Sequence, residues 1–244
     1  MFLVTMMAFT RSVHYSNSYA LARTVKEQQM IFTKHTVAIA LSIALFPAIA
    51  LYPAAGALAG DSPDDIKLRK GAGDPVAGKE KSAMCQGCHG EDGNSAAPNF
   101  PKLAGQYAAY IQKQIHDFQG NSRSDPMMSG MAAGLTDKQE LLDISAYFAS
   151  QKQMKGAAPV VNEAGRKRYL DDNGCFNCHG PKGEGKPNPL TPAIGGQHKD
   201  YIIKQLNDFK SGARNNENSG MMSMIAGFMD DAEIEAVADY ISGL

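Results

Sequence analysis

Two clusters gather the most reactive side chains of this chain: Cys85-Gln86-Gly87-Cys88-His89 and Cys175-Phe176-Asn177-Cys178-His179, which between them hold all four cysteines. Two thiols three positions apart, followed directly by a histidine, can bond both vinyl groups of one haem while the imidazole reaches the iron from the same side. The spacing therefore points to two covalently attached c-type haems. Cys85, Cys88, Cys175 and Cys178 are the expected thioether anchors, and His89 and His179 the expected axial ligands. Rival uses of cysteine pairs fit less well. A short disulfide or redox dithiol would not require the following histidine twice, and no strand-rich, thioredoxin-like pattern surrounds either pair. A zinc ribbon sets its pairs roughly 15–20 residues apart, whereas these recur 90 residues apart.

The opposite face of each iron needs a second ligand, and methionine is the leading candidate, because soft thioether sulfur stabilises the reduced iron and raises the potential. The chain has 13 methionines, and methionine usually serves as adaptable core filler, so the internal repeat has to select among them. Met128 and Met222 lie at matching places, each 7 residues before the apolar residue that opens the last helix of its copy, Leu135 or Met229. Met127, Met131, Met221 and Met224 remain alternatives in the same loops. Pro101 and Pro192 follow the two histidines by 12 and 13 residues; a proline carbonyl there can accept the imidazole N–H and fix its orientation. The duplicated pairs Gln106 with Gln197, Tyr110 with Tyr201 and Arg123 with Arg214 are candidates for haem propionates, for the partner domain, or for plain helix surface. His116 and His198 match Asn207 and Tyr107 rather than histidines, and read as surface residues.

The elements that must position these groups form two copies of one module. Beyond the cysteine clusters, Pro101-Lys102-Leu103-Ala104-Gly105-Gln106 returns as Pro192-Ala193-Ile194-Gly195-Gly196-Gln197, and Tyr110, Gln114, Asp117, Phe118 and Arg123 return 91 residues later. Two copies suit a duplicated domain rather than a solenoid. Residues 60–155 are the expected first domain and 156–244 the second, joined through the polar stretch from Gln151 to Asn162. Each copy reads as helical. Tyr107, Tyr110, Ile111, Ile115 and Phe118 fall on one face at steps of three and four, as do Tyr201, Ile202, Leu206 and Phe209. Thr136 with Gln139, and Asp230 with Glu233, have capping-box spacing before the final apolar runs. Short helices are expected at about 75–83 and 162–171, leading into each cysteine pair. The Gly- and Pro-rich loops 90–101 and 180–196 are too long for simple turns and need something to wrap around.

The 24 basic and 25 acidic residues give a formal net charge of −1, with no basic run interleaved with aromatics, so a nucleic-acid partner is not expected. Lys34 and His35 precede an apolar run from Thr36 to Leu51, and Ala57-Leu58-Ala59 offers a small-residue cleavage site, the order of a secretory signal peptide. The run is interrupted by Pro47 and is shorter than the ~20 residues that span a bilayer. Residues 1–59 are read as an export segment with cleavage after Ala59. An over-extended start is expected, since a conventional signal peptide could begin at Met30.

With these residues in place, the stretch from Gly73 to Leu244 resembles the dihaem cytochrome c4 family. The resemblance is carried by Cys85-Gln86-Gly87-Cys88-His89-Gly90, Asp92-Gly93-Asn94-Ser95, Pro98-Asn99-Phe100-Pro101-Lys102-Leu103-Ala104-Gly105-Gln106, Met128-Ser129-Gly130-Met131 and Ala146-Tyr147-Phe148. In the second copy it is carried by Gly195-Gly196-Gln197-His198, Lys204-Gln205-Leu206 and Tyr240-Ile241-Ser242-Gly243-Leu244. It implies an all-α fold of two tandem class I cytochrome c domains, two haem c groups each held between a histidine and a methionine, and domains that face one another through a propionate-lined interface. It also implies a periplasmic electron carrier working between a quinol-oxidising complex and a terminal oxidase, with room for peripheral membrane association. Two other functions keep the same motifs: the cytochrome subunit of a periplasmic dehydrogenase complex, and a dihaem enzyme such as a peroxidase. The last would need an open iron position beside an acid or base, and no such constellation is visible. The first copy departs from the second by one extra residue before its last helix.

Overall fold

A computed structural model of the chain describes residues 70–156, 162–171, 174–216 and 218–244. The expected export segment, its cleavage site and the middle of the linker lie outside the described residues. Among the described residues every regular element is a helix, and no helix is long and apolar enough to cross a membrane.

The first copy runs through α1 (Pro75–Lys81), α2 (Ala83–His89), α3 (Ala108–Gln119), α4 (Pro126–Ala133) and α5 (Lys138–Ser150). The second runs through α6 (Glu163–Leu170), α7 (Phe176–His179), α8 (Lys199–Ser211), α9 (Gly220–Gly227) and α10 (Asp231–Ser242). Within each copy the opening helix packs on the final one, α1 on α5 and α6 on α10, and the long middle helix packs on both the short helix after it and the final helix. The duplicated sequence thus folds as a duplicated set of contacts.

Local chemistry explains most boundaries. Asp74 caps α1, its carboxylate accepting from Val76 N–H at 2.8 Å, with Pro75 at the first helical position. Asn162 caps α6 by accepting from Gly165 N–H at 2.9 Å. The expected capping box of Asp230 and Glu233 is complete, with reciprocal bonds of 2.8 and 3.0 Å. The one expected of Thr136 and Gln139 is not: Asp137 is the cap, accepting from Glu140 N–H at 2.9 Å, and Gln139 turns to Asp143 instead. Asp137 and Asp230 are the matching caps, so the extra residue of the first copy is absorbed before the helix starts.

The opening and final helices approach closely through glycine. A side chain on Gly78 would collide with the Asp143 carbonyl, and one on Gly165 with the Ala236 carbonyl. The two cores differ in size. Ile111, Ile144, Tyr147 and Phe148 form the first, flanked by half-buried Cys85, Leu103, Ile115 and Leu135. The second is built on Tyr169, Ile202, Leu206, Phe209, Met229, Ile234, Val237 and Ile241, with Cys175, Phe176, Ile194 and Met222 against its edge. The linker starts as packed chain: Met154 is buried and its N–H bonds the Ala104 carbonyl at 3.1 Å.

Candidate functional site

Each histidine ends a helix and is carried inward by it. His89 closes α2 and His179 closes α7, with exposures of 6% and 7%. A tight loop follows in both copies. Gly93 and Gly183 take φ of +81° and +68°, a left-handed conformation that a side chain would oppose. The Gly93 carbonyl collects the N–H groups of Leu103 and Ala104 at 2.7 and 3.1 Å, and the Gly183 carbonyl those of Ile194 and Gly195 at 2.7 and 3.0 Å. This folds the loop back and brings the expected proline to the imidazole. His89 Nδ1 lies 2.8 Å from the Pro101 carbonyl and His179 Nδ1 2.9 Å from that of Pro192. A carbonyl can only accept, so Nδ1 carries the proton and Nε2 keeps its lone pair. Burial, only partly offset by these bonds, pushes both imidazoles below their ordinary pKa. Two neutral rings with an unprotonated Nε2 are what a metal ligand requires.

Cys85 and Cys88 sit on α2, Cys178 sits on α7 and Cys175 immediately precedes it, and none is joined in a disulfide. Cys85 and Cys175 pack against the two cores, and burial raises both thiols, which argues against reactive thiolates. Among the described residues no three His, Cys, Asp or Glu side chains gather as a metal-binding group. The donor set of each copy, two thiols and one oriented imidazole beside an apolar wall, therefore fits a thioether-bound haem.

The methionine segments differ from expectation in one respect: they are short helices rather than loops. Asp125 starts α4 by accepting from both Met127 and Met128 N–H at 3.1 Å, with Pro126 following. On these helices Met128 and Met222 are half-buried, whereas Met127, Met131, Met221 and Met224 are 51%, 36%, 59% and 53% exposed.

The duplicated polar residues all turn toward the partner domain. Arg123 donates to Gln205 Oε1 at 2.8 Å and to Tyr201 Oη at 3.1 Å; Arg214 donates to Gln114 Oε1 at 3.0 Å and to Tyr110 Oη at 3.1 Å. Asn216 adds a 2.6 Å bond to Asp117. Burial opposes ionisation of Tyr110, but the Arg214 and Arg123 guanidiniums outweigh it and hold the phenol below its ordinary value. Gln106 and Gln197 also cross, each pairing with one residue of the other copy. His198 corrects the surface reading: its Nε2 lies 2.9 Å from the Ser95 carbonyl of the first domain. Periodicity within one copy carries no signal for such a contact. His116 is exposed, as expected.

Comparison with known proteins gives a consistent result. The family described as cytochrome c matches twice, over residues 75–152 and 163–244. Cytochrome c4 of Azotobacter vinelandii is 45% identical over 194 residues, 72% of this chain and 92% of that protein. A protein of Stutzerimonas stutzeri described as a thiosulfate dehydrogenase electron acceptor is 35% identical over 68% of this chain and 82% of its own length. The crystal structure of reduced recombinant cytochrome c4 from Pseudomonas stutzeri superposes with a TM-score of 0.64 at 42% identity, covering 71% of this chain and all of that one.

Proposed function

The chain belongs to the cytochrome c4 family of dihaem electron carriers, and from that premise we propose how its residues divide the work. Cys85 and Cys88 anchor one haem, held between His89 and Met128; Cys175 and Cys178 anchor the other, held between His179 and Met222. The observation that carries this reading is the duplicated Nδ1–H bond to proline, which leaves both Nε2 atoms free to bind iron. Half-burial of Met128 and Met222 beside exposed neighbours supports the methionine assignment. A haem bound in this way supplies a one-electron ferric/ferrous couple. The protein's part would be to offer each haem a histidine and a methionine, exclude water and hold the two groups in hydrogen-bonded domains, a design for electron transfer rather than for transforming a substrate.

We place the mature protein in the periplasm after cleavage following Ala59, associated peripherally with the membrane, taking electrons from a quinol-oxidising complex and passing them to a terminal oxidase. A redox-titrated visible spectrum of the purified mature protein tests the core of this reading. Two one-electron waves, low-spin spectra in both states and no fast carbon monoxide binding are expected. A single haem, or stoichiometric carbon monoxide binding at one iron, would refute it.

A second reading makes this chain the electron acceptor of a periplasmic dehydrogenase. The relative described as accepting electrons from thiosulfate dehydrogenase supports it. Stopped-flow reduction by each candidate donor, and co-purification with a catalytic chain, separate the two readings.

A further inference from the structure

The bond that orients each histidine is made to a peptide group, and the other end of that same peptide group is held by the opposite domain. The carbonyl of Pro101 and the N–H of Lys102 belong to one amide. Its oxygen receives His89 Nδ1–H at 2.8 Å, and its N–H donates to Gln197 Oε1 at 2.9 Å. In the second copy the amide joining Pro192 to Ala193 receives His179 Nδ1–H at 2.9 Å and donates to Gln106 Oε1 at 2.9 Å. Both glutamines are buried, at 4% and 5% exposure. Each closes a two-point pairing, with Gln197 Nε2 donating to the Lys102 carbonyl at 3.0 Å and Gln106 Nε2 to the Ala193 carbonyl at 2.8 Å. Their orientation is fixed locally as well: His198 N–H reaches Gln197 Oε1 at 3.0 Å and Tyr107 N–H reaches Gln106 Oε1 at 3.1 Å. Gln197 Nε2 also lies 3.6 Å from Met154 Sδ.

We propose that Gln106 and Gln197 are positioning residues that tune the haem of the domain opposite their own, through the amide on which its histidine leans. An amide whose N–H is engaged carries more negative charge on its oxygen, and chains of hydrogen bonds strengthen one another in a low-dielectric interior. The Pro101 carbonyl is thereby a better acceptor when Gln197 is in place. A better acceptor gives the histidine more imidazolate character, makes it a stronger donor to iron and favours the ferric state. Each haem's potential then depends on the docking of the other domain, so the interface sets redox properties as well as orientation. This deepens the function proposed above and rests on His89 and His179 being iron ligands.

The test uses the intact dihaem protein with Gln197→Met and Gln106→Met, which keep length and apolar volume but offer no amide. Potentials are read haem by haem by NMR-monitored redox titration, each haem identified by contacts of its methyl groups with residues of its own domain. Gln197→Met should raise the potential of the haem at His89, shifting its equilibrium toward the ferrous form about threefold, ~30 mV at 59 mV per tenfold change. It should also move the His89 Nδ1 proton upfield in the reduced protein and leave the His179 proton in place. Gln106→Met should do the reverse. Gln197→Glu keeps an acceptor oxygen toward Lys102 N–H in either protonation state, so the His89 haem should return to the wild-type potential or fall below it. Equal shifts at both haems, or an unmoved His89 Nδ1 proton in Gln197→Met, would overturn the proposal and leave the glutamines a purely structural role. The Nδ1 proton reports the relay and the visible spectrum reports iron ligation, so a failure of one is told apart from a failure of the other.

Discussion

Arg123 and Arg214 hold equivalent places in the two copies and share each other's acceptors. Gln114 Oε1 receives Arg123 at 2.7 Å and Arg214 at 3.0 Å, while Gln205 Oε1 receives Arg214 at 2.6 Å and Arg123 at 2.8 Å. Each guanidinium also lies over an aromatic face of its own copy, Arg123 over Phe118 at 4.7 Å and Arg214 over Phe209 at 4.4 Å. Guanidinium groups only donate, so both amide oxygens must face the seam, and both amide nitrogens turn back toward Asp117 and Asp208. Two like charges are thus brought together by acceptors held in common. The domains are consequently coupled by hydrogen bonds that cross the seam in both directions.

Removing one arginine should loosen the seam. Arg214→Ala deletes charge-assisted bonds to Gln205, Gln114 and Tyr110; both glutamine oxygens keep Arg123, while Tyr110 Oη and Asn216 Oδ1 lose the guanidinium that donates to them. A loss of about 2–3 kcal/mol is expected, read as a lower denaturation midpoint. The linker should also be cut faster by protease, whereas each domain retains its visible spectrum.

Each methionine assignment has its own signature. Met128→Ala and Met222→Ala should each abolish one of the two long-wavelength Met–iron absorption bands and lower the potential of that haem alone. Met127→Ala and Met224→Ala, at exposed positions, should leave both bands intact. An unchanged band in Met128→Ala would move the assignment to a neighbour on α4.

Gly78→Ala and Gly165→Ala should each destabilise one domain by about 1–3 kcal/mol or more, because the added methyl meets a backbone carbonyl that cannot swing aside. Thermal unfolding of the holoprotein should show the loss. Gly130→Ala, where a side chain meets open space, is the matching control and should leave the transition unmoved or slightly higher.

Acid sensitivity should centre on Asp143 of α5. Its carboxylate bonds Lys81 Nζ at 2.6 Å, Asp74 N–H at 2.8 Å and Gln139 at 2.8 Å, and these hold it down at about 2, from an ordinary 3.8. A depressed carboxylate stabilises the fold while ionised, so its contribution is complete above about pH 4 and disappears as pH falls through about 2. Asp143→Asn should lower Tm at neutral pH, with the gap to wild type closing between pH 4 and pH 2. A gap that stays constant through that window would show that the carboxylate's charge is not what stabilises the packing of α1 on α5.

The local chemistry was legible in the order of residues. Cys-x-x-Cys-His specifies its cofactor because two thioethers and one imidazole must reach a single porphyrin from adjacent helical turns. The constant offset exposed the duplication, and the proline spacing foretold the Nδ1 bonds of His89 and His179. The comparisons with relatives agree with the family, the helical fold and the two haems that these motifs implied. What the residue order left open were relations between chain segments far apart in sequence. Asp137 displaced Thr136 as a cap because the backbone enters α5 one residue later than the apolar pattern suggests. Gln106, Gln197, Arg123 and Arg214 read equally well as surface or as interface, and His198 read as surface, whereas it bonds the Ser95 carbonyl. Periodicity reports only which face of a helix is covered, not what covers it. Only tertiary packing, by laying one copy's amides against the other's peptides, decided that these side chains join the domains.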